Sequence, residues 1–269
     1  MTVESRPSRL SELFTGEGCV FLPYLTAGLP NGKTSPDLFS ALADAGADGF
    51  EVGIPYSDPL MDGPVIQRAG QLALQAGTTI DLALGIIETV TIRTGLPAIV
   101  MTYVNPLLQR GVEWSLESFA SAGASGLIVP DLPIEEITPF REAADAIGLG
   151  LVAFVAPTTD DDRLGEVVAQ RPAFIYGVAD MGVTGNRETS SEHASLLAER
   201  VHKAGDVPLV LGVGISTPDQ AAEAAKHAEG VIVGSALVAT VLDGGSDVVA
   251  RLSDHARQFA TAVHHWPIS

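Results

Sequence analysis

Short apolar runs alternate with longer segments of helical periodicity along the whole chain. The runs fall near residues 19–26, 48–53, 98–104, 126–129, 150–156, 174–178, 208–212 and 230–233. Each is bounded by Gly, Pro, Asn or Asp and reads as a buried strand. Every interval between them is long enough for a helix, as parallel strands with crossover connections require. The pattern predicts an α/β fold, a (βα)8 TIM barrel.

Helix punctuation agrees. "SPDLFSALADAG" offers Ser35 as N-cap, Pro36 at the first helical position, an apolar stripe of Leu38, Phe39 and Leu42, and Gly46 as the stop. "STPDQAAEAAKHAEG" repeats this grammar with Thr217, Pro218 and Gly230. A weak internal echo, "AGADGFEVG", "AGASGLIVP" and "AEGVIVG", runs each time from a small-residue helix end into a strand. No linker or low-complexity segment interrupts the pattern, so residues 1–269 read as one barrel domain. The remaining length predicts extra helices at the N-terminus (8–14), after strand 8 (235–242) and at the C-terminus (247–262).

Composition narrows the partners. Hydrophobic residues make up 46% and charged residues 18%, which suits a large core. Thirty-three acidic residues against 15 basic ones give a net charge of −18, which repels nucleic acid and anionic membranes. "MTVESRPSRLSELF" has no apolar signal core and no run is long enough to span a bilayer, so a cytoplasmic protein is expected. The single cysteine, Cys19, cannot form an internal disulfide and reads as a buried strand thiol.

The chemistry starts in "FEVGIPYSDPLMDGPVIQRA". If Phe50 and Val52 face the surrounding helices, Glu51 faces the barrel interior at the C-terminal end of its strand, where barrel enzymes place catalytic groups. The competing reading is a buried Glu paired with a base, Arg68 being nearest in sequence. A carboxyl in an apolar pocket has a raised pKa, which suits a group that gives and takes protons near neutrality. Asp62, in the loop that follows, reads equally as a turn or N-cap acid for a helix starting at Pro64. Asp58, before Pro59, is a turn former or a partner contact.

Glycines mark the opposite flank. "YGVADMGVTGNRE" follows strand 6, "LGVGIST" ends strand 7 and "IVGSA" ends strand 8, all opening on one face. With a short helix starting near Ser235, they predict a phosphate site made of backbone N–H groups and a helix dipole. The three lysines, Lys33, Lys203 and Lys226, avoid the predicted strand mouths, which leaves no Schiff-base amine. The six histidines fall in predicted helices or the tail, which leaves no metal ligand set. Acid–base chemistry on a phosphorylated substrate remains.

Taken in order, "FLPYLTAGLP", "FEVGIPYSDPLMDGPVIQ", "MTYVNPL", "VPDLP", "GVTG", "GVGIS" and "GSALV" resemble the tryptophan synthase α subunit family over nearly the whole chain. The resemblance implies retro-aldol cleavage of indole-3-glycerol phosphate to indole and glyceraldehyde 3-phosphate, in tryptophan biosynthesis. It further implies an α2β2 complex in which indole passes to a β subunit carrying pyridoxal phosphate, with no cofactor in this chain. By motif, Glu51 is the catalytic acid–base and Asp62 holds the indole N–H. The phosphate falls to Gly185, Gly214, Gly234 and Ser235, the indole side to Tyr24, Tyr103 and Tyr176, and the covering loop carries Thr184. For the tyrosines, core packing with a bonded hydroxyl is the competing reading. Ala179 and Val213 stand where the family usually has Ser and often Phe, and Asp180 adds an acid to the covering loop. The alternatives are a free-standing lyase and a barrel isomerase or synthase on another phosphorylated intermediate. A regulatory barrel without activity is disfavoured by the presence of both acids.

Overall fold

The computed structural model describes residues 10–16, 18–178 and 187–266. Nine parallel strands form the wall: β1 (Val20–Thr26), β2 (Phe50–Gly53), β3 (Ala98–Met101), β4 (Ala124–Ile128), β5 (Gly150–Leu151), β6 (Ala153–Val155), β7 (Ile175–Gly177), β8 (Leu209–Leu211) and β9 (Gly230–Val233). Their neighbour order is β5-β4-β3-β2-β1-β9-β8-β7-β6. The two end members are consecutive in the chain and separated only by Val152. They are the two halves of the single fifth strand expected over 150–156. The first half pairs with β4 and the second with β7. The Val152 amide donates to the Leu127 carbonyl at 3.0 Å, and the Ala173 amide donates to the Leu151 carbonyl at 2.7 Å. The fifth passage thus hands its hydrogen bonds from one neighbour to the other and closes the wall. Counted by passages of the chain, the barrel is (βα)8.

Helices surround this wall. They are α1 (Ser35–Asp44), α2 (Pro64–Gln75), α3 (Ile80–Thr94), α4 (Val104–Arg110), α5 (Val112–Ser121), α6 (Thr138–Ile147), α7 (Asp161–Ala169), α8 (Arg187–Ala204), α9 (Pro218–Ala224), α10 (Ser235–Leu242) and α11 (Val248–His264). Short 3-10 turns lie at Ser11–Thr15 and Ile134–Glu136. The helix expected after the eighth strand is α10, and the C-terminal one, α11, runs slightly further than expected. The expected N-terminal helix is a 3-10 turn over its described part.

Three local expectations are corrected. Thr34, not Ser35, occupies the N-cap of α1, because the Ser35 hydroxyl accepts the Gly28 amide at 3.1 Å and ties the β1 loop to the helix instead. The third strand stops at Met101 rather than 104, because Val104 already begins α4 and its free helix-end amide is taken by Asp131 Oδ1 at 2.8 Å. Gly230 is the first residue of β9, since α9 ends at Ala224. The start of α9 is as expected: Thr217 and Gln220 form a capping box, with Pro218 next to the cap.

The core lies between wall and helices. Phe50 is fully buried, and its ring meets that of Phe39 on α1 edge-on at 5.6 Å. Removing a side chain of this size from water is worth about 3 kcal/mol. In α11, Leu252, Ala256, Phe259, Ala260 and Val263 form one buried stripe at helical spacing. Since Phe50 points outward to α1, strand alternation turns Glu51 inward.

Candidate active site

Glu51 stands opposite Tyr24 in the β1–β2 register and is 4% exposed. Among the described residues no lysine or arginine pairs with it, and Arg68 lies exposed on α2. The ion-paired reading of this residue is therefore set aside. Burial, reinforced by the nearby Asp62 charge, pushes its pKa up to about 8. Both protonation states are accessible around neutrality, as proton exchange with a substrate requires.

Asp62 is not a helix cap. The N-cap of α2 is Gly63, and no side chain bonds there. The Asp62 carboxylate instead takes a hydrogen bond from the Tyr103 hydroxyl, just past the end of β3. That hydroxyl also accepts the Met61 amide at 3.0 Å, so one tyrosine grips two consecutive loop residues. Gln67 donates to the Asp62 carbonyl at 3.0 Å and holds the loop from the other side. Half-buried, Asp62 has a raised pKa, with desolvation outweighing the opposing Tyr103 bond. Asp58 is exposed and accepts the Ser57 hydroxyl at 2.5 Å, a local turn contact.

Tyr24 and Tyr176 complete the lining. Tyr24 is buried with its hydroxyl 3.3 Å from Thr26 Oγ1, and Tyr176 stacks on Phe154 at 5.0 Å. Burial raises the pKa of both hydroxyls, and the Glu51 charge adds to the rise. The tyrosines are packed, as the core reading had it, yet all three sit within the field of the acids. Two glycines make the space. A Cβ at Gly53 would fall 2.1 Å from the Tyr24 hydroxyl, and one at Gly212 would fall 2.2 Å from that of Tyr176. Sequence reasoning missed these glycines, Phe154 and Thr26. The signal for Phe154 was strand alternation, which turns it inward beside its register partner Tyr176.

On the other flank, β8 and β9 pair in parallel, so the loops that leave them open on the same face. Gly214 lies on the first loop with φ of 78°, a left-handed conformation that favours glycine. Gly234 is the N-cap of α10 and Ser235 its first residue, with no side chain capping the helix. Neither loop nor the helix contains Lys or Arg. Val213 is 39% exposed. Thr184 and Gly185, with Ala179 and Asp180, lie outside the described residues.

Among the described residues, no group of three or more His, Cys, Asp and Glu side chains is placed to hold a metal ion. Cys19 is buried, and burial pushes its thiol pKa up. No helix among the described residues is long and apolar enough to cross a membrane.

A closed parallel barrel, with a buried carboxyl on β2 in the field of a second carboxyl in the loop that follows, defines an α/β-barrel enzyme. The family model for the tryptophan synthase alpha chain matches residues 10–264, and the chain belongs to that family. It is 45% identical over 236 residues to the tryptophan synthase alpha chain of Carboxydothermus hydrogenoformans, covering 86% of this chain and 88% of that one. It is 43% identical over 249 residues to that of Mycobacterium marinum, covering 91% and 92%. A structure of Mycobacterium tuberculosis tryptophan synthase superposes with a TM-score of 0.88 at 38% identity, over 96% of this chain and 99% of that one. The tryptophan synthase subunit alpha of Legionella pneumophila gives 0.87 at 28% identity, over 97% and 100%.

Proposed function

We propose that this chain cleaves indole-3-glycerol phosphate to indole and glyceraldehyde 3-phosphate, with Glu51 and Asp62 in the leading roles. The observation that carries this reading is the burial of Glu51 inside the mouth with no basic partner, beside an Asp62 whose carboxylate is held by Tyr103. Protonated Glu51 gives its proton to indole C3. The positive charge that develops on the indole nitrogen is met by the Asp62 carboxylate, which accepts the N–H bond. The resulting Glu51 carboxylate takes the proton of the side-chain hydroxyl. The carbonyl of glyceraldehyde 3-phosphate forms, the C–C bond breaks, and its electron pair returns to the indole ring. Glu51 ends as it began, protonated.

Tyr24, Tyr103 and Tyr176 border the indole. Backbone N–H groups at Gly214, Gly234 and Ser235, joined by Gly185, hold the phosphate, with Thr184 in the covering loop. The N-terminus of α10 supports this, since no side chain caps it among the described residues and its first amides and dipole favour an anion without a formal cation. No cofactor is assigned to this chain.

The partner is a tryptophan synthase β subunit, which carries the pyridoxal phosphate of the α2β2 complex in the cytoplasm. Support comes from the rim beside Asp62, where Leu60, Met61 and Leu108 are 88%, 64% and 59% exposed. Tyr56 joins these loops by accepting Asn105 Nδ2 at 2.9 Å and packing on Tyr103. An apolar rim of this kind fits a protein partner. Indole release from indole-3-glycerol phosphate, measured with and without a β subunit, tests the reading. Stimulation by the β subunit supports the partnered enzyme, equal rates support a free-standing lyase, and no indole in either case refutes the lyase.

A further inference from the structure

The loops after β8 and β9 and helix α10 contain no Lys or Arg, so the proposed phosphate site depends on where its backbone amides point. In α10 the amides of Leu237 and Val238 already donate to the Gly234 carbonyl, at 3.0 Å each. An anion therefore depends on those of Ser235 and Ala236. Fixed dipoles serve a ligand only if the surrounding structure holds them in place. The buried face of this 8-residue helix is Leu237, Val238 and Val241, whose apolar packing is non-directional and leaves the helix free to slide or turn.

Direction has to come from a polar side chain, and α10 has only two, Ser235 and Thr240. Ser235 belongs to the proposed phosphate site itself. The Thr240 hydroxyl donates to the Ala236 carbonyl in the first turn at 3.3 Å and shares a 2.8 Å hydrogen bond with Nδ1 of His255 on α11. The His255 ring rests in turn on Phe259, at 5.1 Å, within the buried stripe of α11. Burial lowers the His255 pKa, so the imidazole is uncharged at neutral pH and lends position rather than charge.

We propose that Thr240 and His255 are positioning residues for phosphate binding, which brace α10 against α11 and so hold the Ser235 and Ala236 amides on the anion. This role rests on the proposed phosphate site and adds to it two side chains that touch no ligand. The test uses the full chain, with calorimetric titration of inorganic phosphate, glyceraldehyde 3-phosphate and indole, steady-state indole release, and circular dichroism as the folding control. Thr240→Val keeps the shape and removes the hydroxyl, and His255→Phe keeps a ring and removes Nδ1. Each variant binds both phosphates roughly three- to tenfold more weakly. In each, KM for indole-3-glycerol phosphate rises while kcat stays within about twofold and indole affinity does not move. The double variant loses no more than either single one, because both remove the same bond. Thr240→Ser, which keeps the hydroxyl, keeps the wild-type affinity. Unchanged phosphate affinity in either folded variant, an equal loss for indole, or additive losses in the double variant overturns the proposal. His255→Phe decides alone if Thr240→Val does not fold. A wild-type chain that binds inorganic phosphate but releases no indole removes the lyase reading, and the brace is then decided by the inorganic phosphate titrations. A wild-type chain that binds neither phosphate overturns the anion site and the brace with it.

Discussion

Glu51, within β2, and Gly234, just past the end of β9, stand on either side of β1, and they meet charge by different means. On the β2 flank, side chains do the work: a buried carboxyl with a raised pKa faces a second one held by a tyrosine. In sequence the segments that leave β8 and β9, residues 212–217 and 234–242, carry no charged residue and offer glycines and a helix N-terminus instead. Tyr24 is the divider, in register with Glu51 on one side and 3.5 Å from where a Gly234 Cβ would stand on the other. The difference follows from the tasks. A proton must move on one flank, so the group there must titrate. A permanent anion must be held on the other, and fixed backbone dipoles do this without attracting a buried counter-charge.

The comparison is broken most severely by removing the titrating group. Glu51→Gln keeps size and hydrogen bonding, and turnover falls by about 10²-fold or more with folding intact. Steady-state indole release with circular dichroism as control checks this. Placing a charge on the backbone flank comes next. A Cβ at Gly234 meets only ordinary contacts, so Gly234→Asp folds, yet its carboxylate occupies the anion's place. Calorimetry with glyceraldehyde 3-phosphate then detects no binding. Gly214→Asp does the same at an added cost of about 1–2 kcal/mol for its left-handed backbone. Gly165→Asp on α7, with open space around its Cβ, leaves binding unchanged. For Asp62→Asn, turnover falls by about tenfold or more with a smaller change in substrate affinity, because an amide accepts the N–H bond without offsetting the charge.

Stability gives a subtler contrast. The folded pKa of Glu51, about 8, lies above its ordinary value, so the folded state holds a proton that the unfolded chain has lost. Stability therefore falls as pH rises from the ordinary carboxylate range toward 8 and levels off above it. Glu51→Gln escapes this loss, so its stability relative to wild type rises between pH 5 and 8 by up to about 3 kcal/mol. Urea unfolding at the two pH values measures it, and a constant difference contradicts the buried-acid account. The smallest effect is expected for Tyr103→Phe, which frees Asp62 and the Met61 amide. Stability drops by about 1 kcal/mol and turnover by several-fold.

The strands were legible because each is a short apolar run closed by turn residues, and the inward side of β2 followed from Phe50 and Val52. The break in the fifth strand was not, because "GLVAFV" is uniformly apolar and a transfer of hydrogen bonds leaves no mark on it. Ser35 misled because a hydroxyl at a helix start looks the same whether it caps its own helix or accepts the amide of Gly28. Motif resemblance singled out Asp62, but local pattern could not separate site from cap. The deciding partner, Tyr103, is 41 positions away in sequence and meets it only when β2 and β3 pair. Gly53 and Gly212 stand within motifs read for other reasons, and nothing in the sequence ties them to the tyrosine hydroxyls that lie beside them.

The central claim is that a buried acid protonates C3 and a C–C bond is cut. Its most direct test is to run the wild-type chain on indole-3-glycerol phosphate in deuterated buffer and quantify both products in the first turnovers. The account predicts indole and glyceraldehyde 3-phosphate in equal amounts, the indole carrying one deuterium at C3 from its first appearance. Recovery of a rearranged substrate with its C–C bond intact, or indole formed without deuterium at C3, would contradict it.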